Sequence, residues 1–148
     1  MKSAVWQDVS TLIRDAVTAL PLGNIGLDIS CPGLEVFADP LFEKVFYNLI
    51  DNSLHYGGDN LTTIRINASE RSDDLRIIFE DNGNGISGED KKQLFTKGFG
   101  KNTGLGLFLA REILSITGIT IQETGEPGEG ARFEIAVPKE AYRIAKNH

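Results

Sequence analysis

Cysteine is almost missing from this chain: Cys31 is the only one in 148 residues. A disulfide framework is therefore excluded, as is any metal site built on paired thiolates. A reducing compartment suits such a sequence. No apolar run approaches the ~18 residues that mark a membrane-spanning helix. The opening MKSAVWQDV has no apolar stretch of the signal-peptide kind. Basic residues are in deficit, with 15 Lys and Arg against 21 Asp and Glu, a formal net charge of −6. A general nucleic-acid binder wants a basic face, so that class is disfavoured. An acidic domain still holds a nucleoside triphosphate if Mg²⁺ and a few local lysines offset the phosphates. No Gly-Lys-Ser/Thr triplet occurs, so there is no P-loop. Internal repeats, low-complexity segments and long linkers are absent too.

What remains is ordinary globular material: 41% hydrophobic and 24% charged. The expectation is one domain over residues 1–148, long enough to bury a real core. It opens almost directly into a helix, as an excised domain of a longer parent would. Val5–Leu20 has helical spacing, with Val5, Val9, Leu12, Ile13, Ala16, Val17 and Leu20 on one broad face, ended by Pro21-Leu22-Gly23. Ile25–Ser30 and Leu34–Phe37 read as short strands around a Cys31-Pro32-Gly33 turn. Asp39-Pro40 reads as a helix start, Asp as cap and Pro as first helical residue. That helix runs to about Tyr56, where Gly57-Gly58 stops it. Thr62–Ser69 and Asp74–Glu80 read as a hairpin, followed by a Gly-rich loop, Asp81–Gly88, and a short helix, Glu89–Phe95. After a basic stretch comes a helix over Gly104–Thr117, with Leu105, Phe108, Leu109, Ile113 and Ile116 apolar. Ile119–Thr124 and Ala131–Val137 read as closing strands. Helices alternating with antiparallel hairpins predict an α/β fold: a two-layer sandwich with three main helices on one face of a mixed, mostly antiparallel sheet.

Three polar constellations fall at the joints of this scheme. Asn48 and Asn52 are one helical turn apart, so they share a face. An Asn amide oxygen suits Mg²⁺, which takes oxygen ligands and keeps waters and phosphate oxygens for the rest. Two asparagines there also serve to bridge loops. Asp81 follows a strand; a carboxylate accepts from the exocyclic amine of adenine, where guanine has a carbonyl. Gly83 and Gly85 let backbone come close to a base, although Asp-Asn-Gly is also plain turn chemistry. Gly104-x-Gly106 opens a helix, whose free N–H groups attract phosphates. Lys97 and Lys101 precede it. A dinucleotide fingerprint is ruled out because the third glycine and a parallel βαβ unit are missing.

Taken together, these blocks closely resemble the catalytic ATP-binding domain of sensor histidine kinases, in the Bergerat-fold superfamily that includes gyrase-type topoisomerases, Hsp90 and MutL. FEKVFYNLIDNSLHYG resembles the N box and DNGNGI the G1 box. LFTKGFGKN resembles an F box with a shortened lid, and TGLGLFLAREI the G2 box. GITIQETGEPGEGARFEIAVP resembles the terminal hairpin. The resemblance implies Asn52 as Mg²⁺ ligand and Asn48 with Asn52 as the catalytic pair. Hydrolysing relatives carry a glutamate base at the position of Asn48. It implies adenine binding by Asp81, Tyr56 near the phosphates, and Phe99 in the lid. Gly83, Gly85 and Ile86 of the G1 box, and Thr103, Gly104, Leu105, Gly106 and Leu107 of the G2 box, would contact nucleotide with Lys97 and Lys101. His55 stands where the family often has a phosphate-contacting lysine, and Ala131 where a threonine often holds water near adenine. Lys44 and Asn102 are further departures. The only histidines, His55 and His148, fit no acceptor site. The reading is an ATP/ADP- and Mg²⁺-binding kinase half. It passes the γ-phosphoryl to a histidine on the parent's dimerisation domain, with a response regulator downstream. It is cytoplasmic, monomeric in isolation and without membrane contact, and an anchor in the parent is left open. The alternatives are an ATPase of the gyrase kind and a non-catalytic nucleotide-binding module.

Overall fold

The computed structural model describes residues 3–96 and 106–145. Among these residues, two sheets and four α-helices share one hydrophobic core. Strands β2 (Gly26–Ser30), β4 (Thr63–Glu70), β5 (Asp74–Asp81), β6 (Thr120–Glu123) and β7 (Arg132–Pro138) form a five-stranded sheet in the order β2-β4-β5-β7-β6. Only β2 and β4 run parallel; the other neighbours are antiparallel. Strand alternation sends Ile64, Ile66, Leu75, Ile77, Phe79, Phe133, Ile135 and Val137 into the core. Phe79 and Phe133 are cross-strand partners, their rings 6.2 Å apart and edge-on.

The opposite face is polar. Arg76 there donates to Asp74 and Glu134, and the Thr124 hydroxyl to Glu134. Burial alone would raise the Glu134 carboxyl; the Thr124 hydroxyl, Arg132 and Arg76 outweigh it and hold it below its ordinary value.

On the core side lie α1 (Val9–Val17), α2 (Phe42–Tyr56) and α4 (Gly106–Ser115); α3 (Gly88–Lys91) is one turn. In α2 the stripe Phe42, Val45, Phe46, Leu49, Ile50, Ser53 is buried at spacings of three and four. Gly57 ends the helix and Gly58 takes φ +69°, as expected of that glycine pair. The two-layer sandwich of the sequence reading is borne out.

Several boundaries differ. Val5–Asp8 is not helical but strand β1, in a second antiparallel sheet, β1-β3-β8, with β3 at Leu34–Ala38 and β8 at Tyr142–Ile144. Trp6 packs on Phe37 across the strands, and the Arg143 guanidinium lies 4.2 Å from the Trp6 ring centroid. Asp8 caps the shortened α1, accepting from the Thr11 amide at 2.9 Å. Asp39 does not cap α2; its carboxylate accepts from the Leu41 amide, making a turn, and the helix begins at Phe42. In α4 the buried face is Leu107, Ala110, Ile113 and Leu114, while Leu109, and Ile116 just beyond the helix end, are exposed. Leu105 lies outside the described residues. Strand β8, which the sequence reading lacked, pairs with β3.

Phe133 is fully buried between Phe79 and Phe95. Phe133→Ala should lower stability by about 3–5 kcal/mol in urea unfolding; a loss under about 1 kcal/mol would contradict this packing.

Candidate active site

The alternation that buries Leu75, Ile77 and Phe79 puts the next odd residue of β5, Asp81, on the same helix-facing side. There its carboxylate is held three ways. Oδ1 accepts from the Gly83 and Ala131 amides, both at 3.0 Å, and Oδ2 accepts from the Ser53 hydroxyl at 2.6 Å. A carboxylate offers about four lone-pair positions, so with three donors in place it has room to accept one more. The contacts tie β5, β7 and α2 together at one point.

A cleft opens beside it, lined by Asn52, Tyr56, Gly85, Ile86, Asp90 and Leu94. It adjoins a smaller hollow that reaches Ser53, Asp81 and Ala131. Asn52 and Tyr56 come from one face of α2, Gly85 and Ile86 from the loop after β5, and Asp90 and Leu94 from the segment around α3. The Asn52 amide makes no hydrogen bond to a described residue, so its oxygen is available at the cleft. Asn48, one turn earlier, is engaged: its Nδ2 donates to the Gly106 carbonyl at 2.9 Å, joining α2 to the start of α4. This bond makes Asn48 a bridge between the two helices. His55 sits on the exposed side of α2, Nδ1 lying 2.9 Å from the Asp51 carbonyl and 3.3 Å from its carboxylate.

The glycines of the loop answer to packing. A Cβ on Gly83 would sit 2.6 Å from Gly57 Cα. Gly85 takes φ +75° beside the turn between β6 and β7. Asn84 is the strut between the two flanks: its amide donates to the Gly57 carbonyl at 2.9 Å, and its carbonyl accepts from the Gly128 amide at 3.0 Å. The Asn82 side chain accepts from the Thr62 and Thr63 amides, both at 2.9 Å. Lys91 pairs with the buried Glu123 at 2.8 Å and donates to the Gly125 carbonyl, fastening α3 to the same turn.

The structure therefore gathers Asn52, Tyr56, Asp81, Gly85, Ile86 and Ala131 of the sequence-predicted residues. Gly83 stands behind the cleft, Gly106 at the α2–α4 junction, and the Leu107 side chain is in the core. Lys97, Phe99, Lys101, Thr103, Gly104 and Leu105 lie outside the described residues. Ser53, Asp90 and Leu94 were missed as lining residues. Only Ser53 carried a signal: a hydroxyl in an apolar stripe requires a partner. Cys31 is a core thiol, pushed up to about 11 by burial and by Asp8, and is inert at neutral pH.

A family model described as histidine kinase-, DNA gyrase B- and HSP90-like ATPase matches residues 38–141, from the end of β3 to just before β8. The chain belongs to this family. Sensor protein KdpD of Escherichia coli strain K12 is 30% identical over 146 residues, covering 91% of this chain and 16% of that protein. Alginate biosynthesis sensor protein KinB of Pseudomonas aeruginosa is 35% identical over 104 residues, covering 65% and 17%. The chain thus spans about a sixth of the length of these relatives. Among solved structures, the catalytic domain of histidine kinase ThkA superposes with TM-score 0.77 at 26% identity, covering 93% of this chain and 99% of that one. Mycobacterial sensor histidine kinase MprB shares the fold, with TM-score 0.81 at 15% identity over 96% and 99%. The cleft belongs to an ATP-binding catalytic domain of the histidine-kinase type. No helix among the described residues is long and apolar enough to cross a membrane.

Two glycines of this kinase domain separate packing from chance. Gly83→Ala would press on the end of α2, whereas a Cβ on Gly88 meets nothing within 4 Å. Gly83→Ala should destabilise the domain by about 1–3 kcal/mol, and Gly88→Ala should be neutral or slightly stabilising. Equal urea midpoints for the two variants would refute the contact.

Proposed function

We propose that this domain binds ATP with Mg²⁺ and delivers the γ-phosphoryl to a histidine on a separate dimerisation domain of its parent. A response regulator would follow downstream, and the domain would work in the cytoplasm. The observation that carries the reading is Asp81. A buried carboxylate in the hollow that adjoins the cleft suits the exocyclic amine of adenine, and the cleft is also lined by Asn52, whose amide makes no hydrogen bond to a described residue.

Asn52 would hold the metal ion. Among the described residues there is no cluster of three His, Cys, Asp or Glu that could. That fits Mg²⁺, which takes one protein oxygen and leaves the rest to water and phosphates. When bound, the ion neutralises phosphate charge and orients the γ-phosphoryl. The chain's own contribution is positioning: Asp81 anchors the base, Ile86 and Leu94 give it apolar walls, and Tyr56 lies on the α2 side of the cleft. Nothing at Asn48 can act as a general base, because an amide does not take a proton from water. An imidazole brings its own nucleophilicity, so a histidine acceptor suits this site better than water does. This favours a kinase over an ATPase of the gyrase kind.

Binding and phosphoryl transfer both test this reading. ATP should bind much more tightly than GTP by calorimetry. Asp81→Asn should cost about 1.5–3 kcal/mol of ATP affinity, the range for a hydrogen bond to a charged group. Equal affinity for the two nucleotides would sink the adenine assignment. The isolated domain should not label itself from γ-labelled ATP. Given its parent's dimerisation helices in trans it should label a histidine slowly, since tethering no longer raises the effective concentration. Asn52→Ala should abolish that transfer. Acid-stable label, or transfer undiminished by Asn52→Ala, would overturn the mechanism.

A further inference from the structure

Ser53 is 1% exposed, in the apolar stripe of α2. A buried helical serine usually returns its proton to the carbonyl one turn back. This one donates to Asp81 Oδ2 at 2.6 Å, the length of a charge-assisted O–H···O⁻ bond. A carboxylate offers about four lone-pair positions. The Gly83 and Ala131 amides take two on Oδ1, and Ser53 takes one on Oδ2. One remains, on the oxygen that Ser53 holds. The hollow bounded by Asn52, Ser53, Tyr56, Asp81, Ile86 and Ala131 lies against this pair.

We infer that Ser53 is a positioning residue for purine recognition. Its hydroxyl fixes Oδ2 so that a single acceptor position is open, matched to one N–H of a 6-amino purine and mismatched to a 6-oxo group. The inference rests on the reading of the cleft as an adenine-nucleotide site. It adds a second determinant of base choice, on a different element from Asp81. The two amides fix Oδ1 from the loop after β5 and from the residue before β7; among the described residues only Ser53 fixes Oδ2, and it does so from α2. Without Ser53 the carboxylate turns about Oδ1, which loosens the Gly83 and Ala131 contacts and spoils the hydrogen bond to the base.

The test separates positioning from general support. Ala is the better helix former and no larger than Ser, so Ser53→Ala should keep the fold. Binding is measured for ATP and for purine riboside triphosphate, which lacks the 6-amino group, in the unmodified domain and in Ser53→Ala. ATP affinity should fall about five- to tenfold, while the deamino analogue should change by less than about twofold. Equal losses for both nucleotides, or no loss for ATP, would overturn the inference. A second readout needs no nucleotide. Amide hydrogen exchange at Gly83 and Ala131, whose N–H groups share the Asp81 carboxylate, should quicken in Ser53→Ala; unchanged protection also overturns it. If the unmodified domain binds neither nucleotide, the proposed function fails, and the exchange result alone decides whether Ser53 holds Asp81.

Discussion

A buried carboxylate is costly unless its lone pairs are met, and Asp81 meets this demand from three directions. The donors come from the loop after β5, the residue just before β7, and α2. The Asp81 amide in turn donates to the Ala131 carbonyl at 3.0 Å, so the two strands exchange bonds at this residue. The approach is close: a Cβ on Gly130 would fall 2.0 Å from the Asp81 carbonyl oxygen. Sheet, helix and loop cannot move separately here without stranding a charge. The same residue that closes the fold lines the hollow beside the cleft, so under the proposed function stability and base recognition fall on one group.

The loop after Asp81 is held by backbone on both flanks. Gly83 packs on Gly57 at the end of α2, and Asn84 spans from Gly57 to Gly128. Further on, Lys91 and the buried Glu123 fasten α3 to the turn between β6 and β7. Removing one member of such a pair leaves an uncompensated buried charge. The wall formed by Gly85, Ile86, Asp90 and Leu94 is therefore set before any ligand arrives. Preorganisation of this kind lets the chemistry rest on positioning.

Much of this was legible in the residues. The hairpin β4–β5 and the strand β7 follow clean alternation against a one-sided core, and Gly57-Gly58 marks the end of α2 as expected. Asp81 was legible because the alternation of β5 continues to it. Val5–Asp8 was misread because Val5 and Val9 also satisfy helical spacing. What makes the segment a strand is pairing with β3, which brings Trp6 onto Phe37, a contact more than thirty residues away in sequence. Strand β8 was missed for the same reason, since three residues have no period of their own. In α4 the apolar residues nearly encircle the helix, so spacing alone did not say that Leu107 and Ala110 face inward while Leu109 and Ile116 do not. Gly83 was read as room for a base; the nearer neighbour is Gly57, and a glycine motif does not distinguish close packing from close ligand approach. Ser53 went unread as part of the site because its partner is on another element, 28 residues along.

The two asparagines of α2 show how one spacing serves two tasks. Asn48 and Asn52 share a face, yet the fold treats them differently. Asn48 meets the Gly106 carbonyl, where α4 begins, and its amide closes the gap between the two helices. Asn52, one turn on, comes level with the cleft and makes no bond to a described residue. A carboxylate at position 48 would face the Gly106 carbonyl, acceptor against acceptor, so the junction seen here suits a donor. That geometric demand also removes the group best placed to activate water. A site that positions a phosphoryl group and cannot deprotonate water favours an acceptor whose nucleophilic nitrogen needs no base. Under the proposed function, the bridge that joins α2 to α4 and a preference for histidine over water follow from the same side-chain amide.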